Sequence, residues 1–219
     1  MIEACIFDIG GVLIKTDTAY LAATQTSLSR NNLPLPPRSE IIKYLGTTDY
    51  HLIRSVVGLV YQGDDINSMY EKCYASFQSL FPEKILDELE VLPGVERCLQ
   101  ELSKRGIRLA CQTGMKFGEA STILGHFNLL SYFPIIITLD DVKNPRPDPE
   151  AIYLTLMRLG ITDKSRCLYI GDTFTDIRFA RNAGVKIACT TTGAQKREIL
   201  EKEKPDYIVD NITEILRLL

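Results

Sequence analysis

Short apolar runs recur along the chain: IEACIF (2–7), IRLACQ (107–112), PIIITL (134–139), CLYIG (167–171) and VKIACT (185–190). DYIV (206–209) is a weaker sixth. Few polar residues alternate within them, as expected of parallel strands covered on both faces. Helix-period stretches lie between. VERCLQELSKRG (95–106) puts Val95, Leu99 and Leu102 on one face and ends at Gly106. DPEAIYLTLMRLG (148–160) offers Asp148 as N-cap, Pro149 at the first helical position and Gly160 as terminator. DIRFARNAG (176–184) closes the same way on Gly184. This alternation predicts an α/β protein with a doubly wound parallel sheet.

Residues 17–89 break the rhythm. Helical pieces are expected near 18–31, 39–45, 49–60, 64–79 and 82–89, with no core strand among them. LPGV (92–95) then turns the chain back towards the sheet. The expected organisation is an α/β core of residues 1–16 and 90–219, with an all-helical insertion at 17–89. The insertion departs right after the first strand, where a lid would exclude water from the mouth of the sheet.

With 219 residues the chain buries a core without help from a metal or disulfide. A formal charge of -3 and the absence of a basic tract argue against nucleic acid or an anionic membrane as partner. The six cysteines form no CxxC pair, and four lie in the strand-like runs as small hydrophobes, which fits a reducing compartment. MIEACIFDIGG carries charge and a turn too early for a signal peptide, and no run reaches the ~20 apolar residues of a membrane span. A cytoplasmic protein, monomeric or homodimeric, is expected.

Open parallel sheets bind ligands beyond the carboxyl ends of their strands. Asp8, Thr113 and Asp172 stand at such ends, and GDTFTD (171–176) adds Asp176. Local readings exist for each: Asp176 as a helix N-cap, Asp8 as a cap on the turn at Gly10 and Gly11, Thr113 as a cap of its own loop. Three converging carboxylates, however, need a compensating cation, and oxygen ligands alone point to a hard ion, best Mg²⁺. A carboxylate held there is a candidate nucleophile. Gly10, Gly11 and Thr113-Gly114 offer backbone N–H groups and a hydroxyl to an anion.

DIGGV after the first strand, T-G in CQTGM (111–115), RPDPE (146–150) and GDTFTDIRFARNAG (171–184) occur in an order that resembles the haloacid dehalogenase (HAD) superfamily of hydrolases. The resemblance spans essentially the whole chain. It implies a Rossmann-type core with a helical cap of the phosphoglucomutase-like branch. It also implies Asp8 as nucleophile and metal ligand, the carbonyl of Gly10 and the carboxylates of Asp172 and Asp176 around Mg²⁺, and Thr113 and Arg146 holding the transferred group. Arg146 replaces the usual lysine; Lys143 lies three positions upstream, but the register favours Arg146. The second aspartate of the usual D-x-D motif, the general acid and base, is Gly10 here.

Three activities follow from the resemblance. The first is a Mg²⁺-dependent phosphatase acting on a small phosphorylated metabolite through an aspartyl phosphate, best with a good leaving group. The second is a phosphonatase-like or dehalogenase-like hydrolase. DDVKNPRP (140–147) is similar to the phosphonatase pattern, but Asp49 stands where its cap lysine is sought and Lys43 is out of place. The third is a HAD-fold binding or regulatory protein that has lost its catalytic acid. Lys15, Tyr20, His51 and Arg54 are candidate substrate contacts, against an ordinary surface or packing role that residues of these types fill more often, and Thr190–Thr192 with Gly193 are read mainly as a plain loop.

Overall fold

The computed structural model describes residues 2–80 and 83–219. The chain divides into two compact units, one running to Lys15 and resuming at Glu90, the other comprising Thr16–Leu89. The elements are β1 (Ala4–Phe7), β2 (Ile14–Lys15), α1 (Asp17–Arg30), α2 (Arg38–Ile42), α3 (Asp49–Val60), α4 (Ile66–Gln78), α5 (Glu83–Leu86), β3 (Glu90–Val91), α6 (Val95–Lys104) and β4 (Arg108–Gln112). They continue as α7 (Phe117–His126), β5 (Ile135–Ile137), α8 (Glu150–Leu159), β6 (Cys167–Gly171), α9 (Phe174–Ala183), β7 (Lys186–Thr190), α10 (Arg197–Glu203) and β8 (Tyr207–Val209).

Six strands form one parallel sheet in the order β5-β4-β1-β6-β7-β8. The chain builds outward from β1 to one side and then returns to its other side with β6. The crevice where ligands bind such sheets therefore opens beyond β1 and β6. Ala4–Phe7 is buried throughout, which explains its unbroken apolar run. One face carries Ala4, Ile6, Ala110, Ile137, Tyr169 and Ile187, packed with α8 and α9 residues such as Ile152, Leu156, Ile177 and Phe179. Phe7, with its side chain on the opposite face, meets Phe133 edge-on at 6.0 Å between ring centres. All six cysteines are free and buried. Burial pushes the thiols of Cys98 and Cys167 up to about 12, so they pack as hydrophobes.

The smaller unit is helical. Thr48 caps α3 by accepting from His51 N, and Asp65 caps α4 by accepting from Ser68 N. Ser27 of α1 donates to Cys73 O of α4 at 2.6 Å. Tyr20 and Phe77 bring their rings to 5.9 Å. Of the helical piece expected at 82–89, residue 82 lies outside the described residues.

Several boundaries differ from the sequence expectation. Helix α8 begins at Glu150, with Asp148 accepting from Glu150 N at 3.0 Å one residue ahead of the N-cap Pro149. Helix α9 begins at Phe174, so Asp176 is its third residue and Thr173 its N-cap. The pattern leaves α7 and α10 unassigned. It also omits the antiparallel ribbon of β2 and β3, whose strands have only two residues each.

Candidate active site

The site grows out of the loop after β1. Asp8 continues the strand far enough for its N–H to donate to Ile170 O at 3.0 Å. The chain then reverses tightly: Gly11 N donates to Ile14 O at 2.8 Å, and Leu13 N and Ile14 N both donate to Ile9 O at 2.9 Å. Gly11 takes φ +68°, where a side chain is strained. Its carbonyl accepts from Thr192 Oγ1 at 2.6 Å and Thr190 Oγ1 at 3.3 Å. Thr190 at the end of β7 and Thr192 just beyond it, read from sequence mainly as a plain loop, therefore anchor the turn that follows Asp8.

Asp172 sits just beyond β6, pressed between two backbones. A Cβ on Gly11 would lie 2.5 Å from Asp172 Cγ, and one on Gly193 would lie 2.5 Å from the same atom. Both positions leave room for the carboxylate only because they are glycine. Gly171 does the same for Asp176, whose Cγ would lie 2.7 Å from an added Cβ.

Asp176 is held from every side. Its Oδ2 accepts from Asp172 N (3.2 Å), Thr173 N (3.0 Å) and Thr173 Oγ1 (2.6 Å), while Asp176 N donates back to Thr173 Oγ1 in a capping box. Its Oδ1 accepts from Arg146 at 2.5 Å and from Tyr169 OH at 3.1 Å. Arg146, with 7% of its side chain exposed, also reaches Asp8 Oδ2 at 3.2 Å. Among the described residues the ion pairs to Asp8 and Asp176 come from Arg146, and none joins Lys143 to these carboxylates.

One oxygen each of Asp8, Asp172 and Asp176 lies within 4.8 Å of the others, and all three residues are buried. Burial, opposed by Arg146, pushes the Asp8 carboxyl up to about 6. Burial and the charges of Asp176 and Asp8 push Asp172 well above the usual carboxylate range. Burial works against the Arg146 charge too, yet Asp8 and Asp176 hold that group firmly protonated. Asp8 Oδ1 is buried and has no hydrogen-bond partner among the described residues. Ionised together, the three carboxylates would exceed the single guanidinium by two negative charges, which is why burial and mutual repulsion raise Asp8 and Asp172. This charge, the orphaned oxygen and the all-oxygen donor set fit a hard divalent cation.

Thr113 follows β4, the strand next to β1. Its N–H donates to Ile137 O at 3.0 Å and its Oγ1 accepts from Met115 N at 3.2 Å, as in a local cap. The structure thus joins Asp8, Arg146, Asp172 and Asp176 by contact, and places Thr113-Gly114 at the neighbouring strand end. The other candidates have local roles. His51 lies 3.4 Å from Ser55 Oγ, Arg54 stacks over Tyr70 at 5.2 Å, Tyr20 packs on Phe77, and Lys15 is exposed at the end of β2.

Two residues escaped the sequence reading. Tyr169 OH contacts Gln112 Oε1 (3.1 Å), Asp176 Oδ1 (3.1 Å) and Arg146 (3.3 Å). Both lie inside strand-like runs, where an apolar pattern signals burial and says nothing about partners.

A family model described as haloacid dehalogenase-like hydrolase matches residues 5–190. The chain is 25% identical over 217 residues to a phosphoglycolate phosphatase of Nitrosococcus oceani, covering 99% of this chain and 96% of that protein. It is 29% identical over 220 residues to the pyrophosphatase PpaX of Bacillus velezensis, with 99% and 96% covered. A haloacid dehalogenase-like family hydrolase from Streptococcus pneumoniae superposes with a TM-score of 0.82 at 21% identity, over 99% of this chain and 98% of that one.

Proposed function

The chain belongs to the haloacid dehalogenase-like hydrolase family, and from that premise we propose that it is a phosphatase using Asp8 as nucleophile on a small phosphorylated substrate. The observation that carries the reading is the cluster of Asp8, Arg146, Asp172 and Asp176 at the crevice beyond β1 and β6, with Asp8 Oδ1 left without a partner. Relatives named for phosphoglycolate and pyrophosphate hydrolysis support it.

Asp8 attacks phosphorus, a P–O bond forms to its carboxylate, and the bond to the leaving oxygen breaks. Water then attacks the phosphorus of the aspartyl phosphate, releasing inorganic phosphate and restoring the carboxylate. The Arg146 guanidinium, fixed on Asp8 Oδ2, stands beside the oxygen that loses and regains charge, and it stays charged throughout. Thr113 and the N–H groups at Gly10 and Gly114 are the proposed donors to the phosphoryl oxygens; the Gly11 N–H, expected among them, is spent on Ile14 O inside the turn. Mg²⁺, held by Asp8, Asp172 and the Gly10 carbonyl, would offset the two excess negative charges and polarise a phosphoryl oxygen. Asp176, its oxygens engaged by five hydrogen bonds, acts by orienting Asp172 and Arg146 and stands at the edge of that ligand set.

Gly10 carries no carboxyl with which to protonate a departing alkoxide. The site therefore suits substrates whose leaving group departs as a stable anion, such as phosphoanhydrides, acyl phosphates or acidic esters. The test is turnover of a panel of phosphate compounds with and without Mg²⁺. Mg²⁺-dependent phosphate release abolished by Asp8→Asn is expected. Full activity of Asp8→Asn would overturn the nucleophile, and halide release from a 2-haloacid, or phosphate release from a phosphonate but from no phosphate ester or anhydride, would overturn the substrate class.

A further inference from the structure

Tyr169 is fully buried in a central strand whose other side chains are apolar. Its ring packs edge-on against Phe179, with centroids 5.4 Å apart at 86°. A phenylalanine would fill that space equally well, so packing accounts for the ring and leaves the hydroxyl unexplained. Gln112, 2% exposed at the end of β4, supplies the acceptor that seats it. Two buried polar side chains on neighbouring apolar surfaces are costly unless they satisfy one another and something further.

We infer that Tyr169, seated by Gln112, is a positioning residue that fixes the Arg146 guanidinium against Asp8. One guanidinium nitrogen faces three acceptors: Asp176 Oδ1 at 2.5 Å, Asp8 Oδ2 at 3.2 Å and Tyr169 OH at 3.3 Å. The shortest of these draws it away from the nucleophile. The Tyr169 hydroxyl opposes that pull in two ways. Its single proton is divided between Asp176 Oδ1 and Gln112 Oε1, each 3.1 Å away, so Asp176 Oδ1 does not depend on Arg146 alone, and its lone pair accepts from the guanidinium. Removing it hands Arg146 to Asp176 and lengthens the contact with Asp8. Gln112 holds the hydroxyl from behind, so polar contacts run unbroken from Gln112 of β4 to Tyr169 of β6, through Arg146, and back to Asp8 at the end of β1.

The inference rests on the phosphatase reading for its kinetic consequence, whereas its geometric content stands apart from it. The experiment compares the parent protein with Tyr169→Phe, by crystal structure and by kinetics on 4-nitrophenyl phosphate. In Tyr169→Phe the Arg146–Asp8 separation is expected to lengthen. A misplacement of about 1 Å at a reacting group costs up to ~10²-fold, so kcat should fall by roughly that factor, with KM nearly unchanged. In an Arg146→Lys background the same deletion should cost little, because a point charge does not need the fork held in plane. Gln112→Met, which keeps the volume and removes the acceptor, should shift kcat in the same direction by a smaller factor. It also provides the reading if Tyr169→Phe does not fold. An unchanged Arg146–Asp8 distance, an unchanged kcat, or an equal loss in the Arg146→Lys background would overturn the inference. If the parent hydrolyses no phosphate compound, the phosphatase reading fails and the crystallographic comparison alone decides the positioning role.

Discussion

Gly193→Ala isolates the cradle around Asp172. Gly193 has no left-handed φ, so alanine meets no backbone strain there. Its Cβ would nevertheless lie 2.5 Å from Asp172 Cγ and 2.8 Å from Asp172 Cβ, closer than packed atoms tolerate. Gly11 crowds the same carboxylate, because a Cβ built there would lie 2.5 Å from Asp172 Cγ and 2.9 Å from Gly193 Cα. Asp172 must therefore swing out of the cluster. Disturbing the support of a metal ligand costs roughly 10–100-fold in affinity, or about 1.4–2.7 kcal/mol. The stabilisation conferred by an excess of Mg²⁺ falls by the same amount. For a chain of 219 residues, about 2–4 °C of Tm accompanies each kcal/mol, so the Mg²⁺-induced rise in Tm should shrink by roughly 3–10 °C. Without metal the variant should melt no lower than the parent, since Asp172 then leaves a site where burial and two neighbouring carboxylates oppose its charge. Differential scanning fluorimetry with and without Mg²⁺ reads both quantities. An undiminished Mg²⁺-induced rise would refute the cradle, and a lower Tm without metal would show that Asp172 belongs to the fold instead.

Arg146→Ala leaves Asp8 and Asp176 buried without their cation, and urea unfolding should show a loss of about 3–5 kcal/mol that added Mg²⁺ partly restores. Thr192→Val removes the shorter of two hydrogen bonds to Gly11 O and should cost about 1 kcal/mol, more than Thr190→Val, in the same assay. Gly10→Asp restores a carboxyl on a backbone outside the left-handed region, and should raise hydrolysis of alkyl phosphates relative to aryl phosphates by roughly 10²–10⁴-fold. An equal response of both substrate classes would refute the leaving-group argument.

Asp8 and Asp172 were legible because each stands at or just beyond the end of an apolar run, where its polarity stands out, and Asp176 because it shares the short loop GDTFTD with Asp172; Arg146, in a polar stretch, was legible only through the register of RPDPE in the family resemblance. Asp176 was placed at the helix start when it is the third residue of α9, since Asp is acceptable at either position and only Thr173 distinguishes them. Tyr169 and Gln112 were illegible for the opposite reason. An aromatic ring belongs in a buried strand, and nothing nearby in sequence reveals that its hydroxyl meets a charged pair. The pairing of Gly11 with Gly193 was equally hidden, because it depends on the return of the chain past β1 after most of the sheet is built. The β2–β3 ribbon fell below the length at which alternation carries a signal.

That ribbon has a consequence for how the gene can change. Ile14 pairs with Val91 and Lys15 with Glu90, so the chain leaves and re-enters the α/β unit at adjacent rungs of one ladder. Everything between those rungs is, to the sheet, a single long hairpin loop. Each doubling of such a loop costs only about 0.6 kcal/mol in closure entropy. Segments of other lengths, or a short turn, can be spliced at this point without altering the register of any strand that bears Asp8, Tyr169 or Asp172.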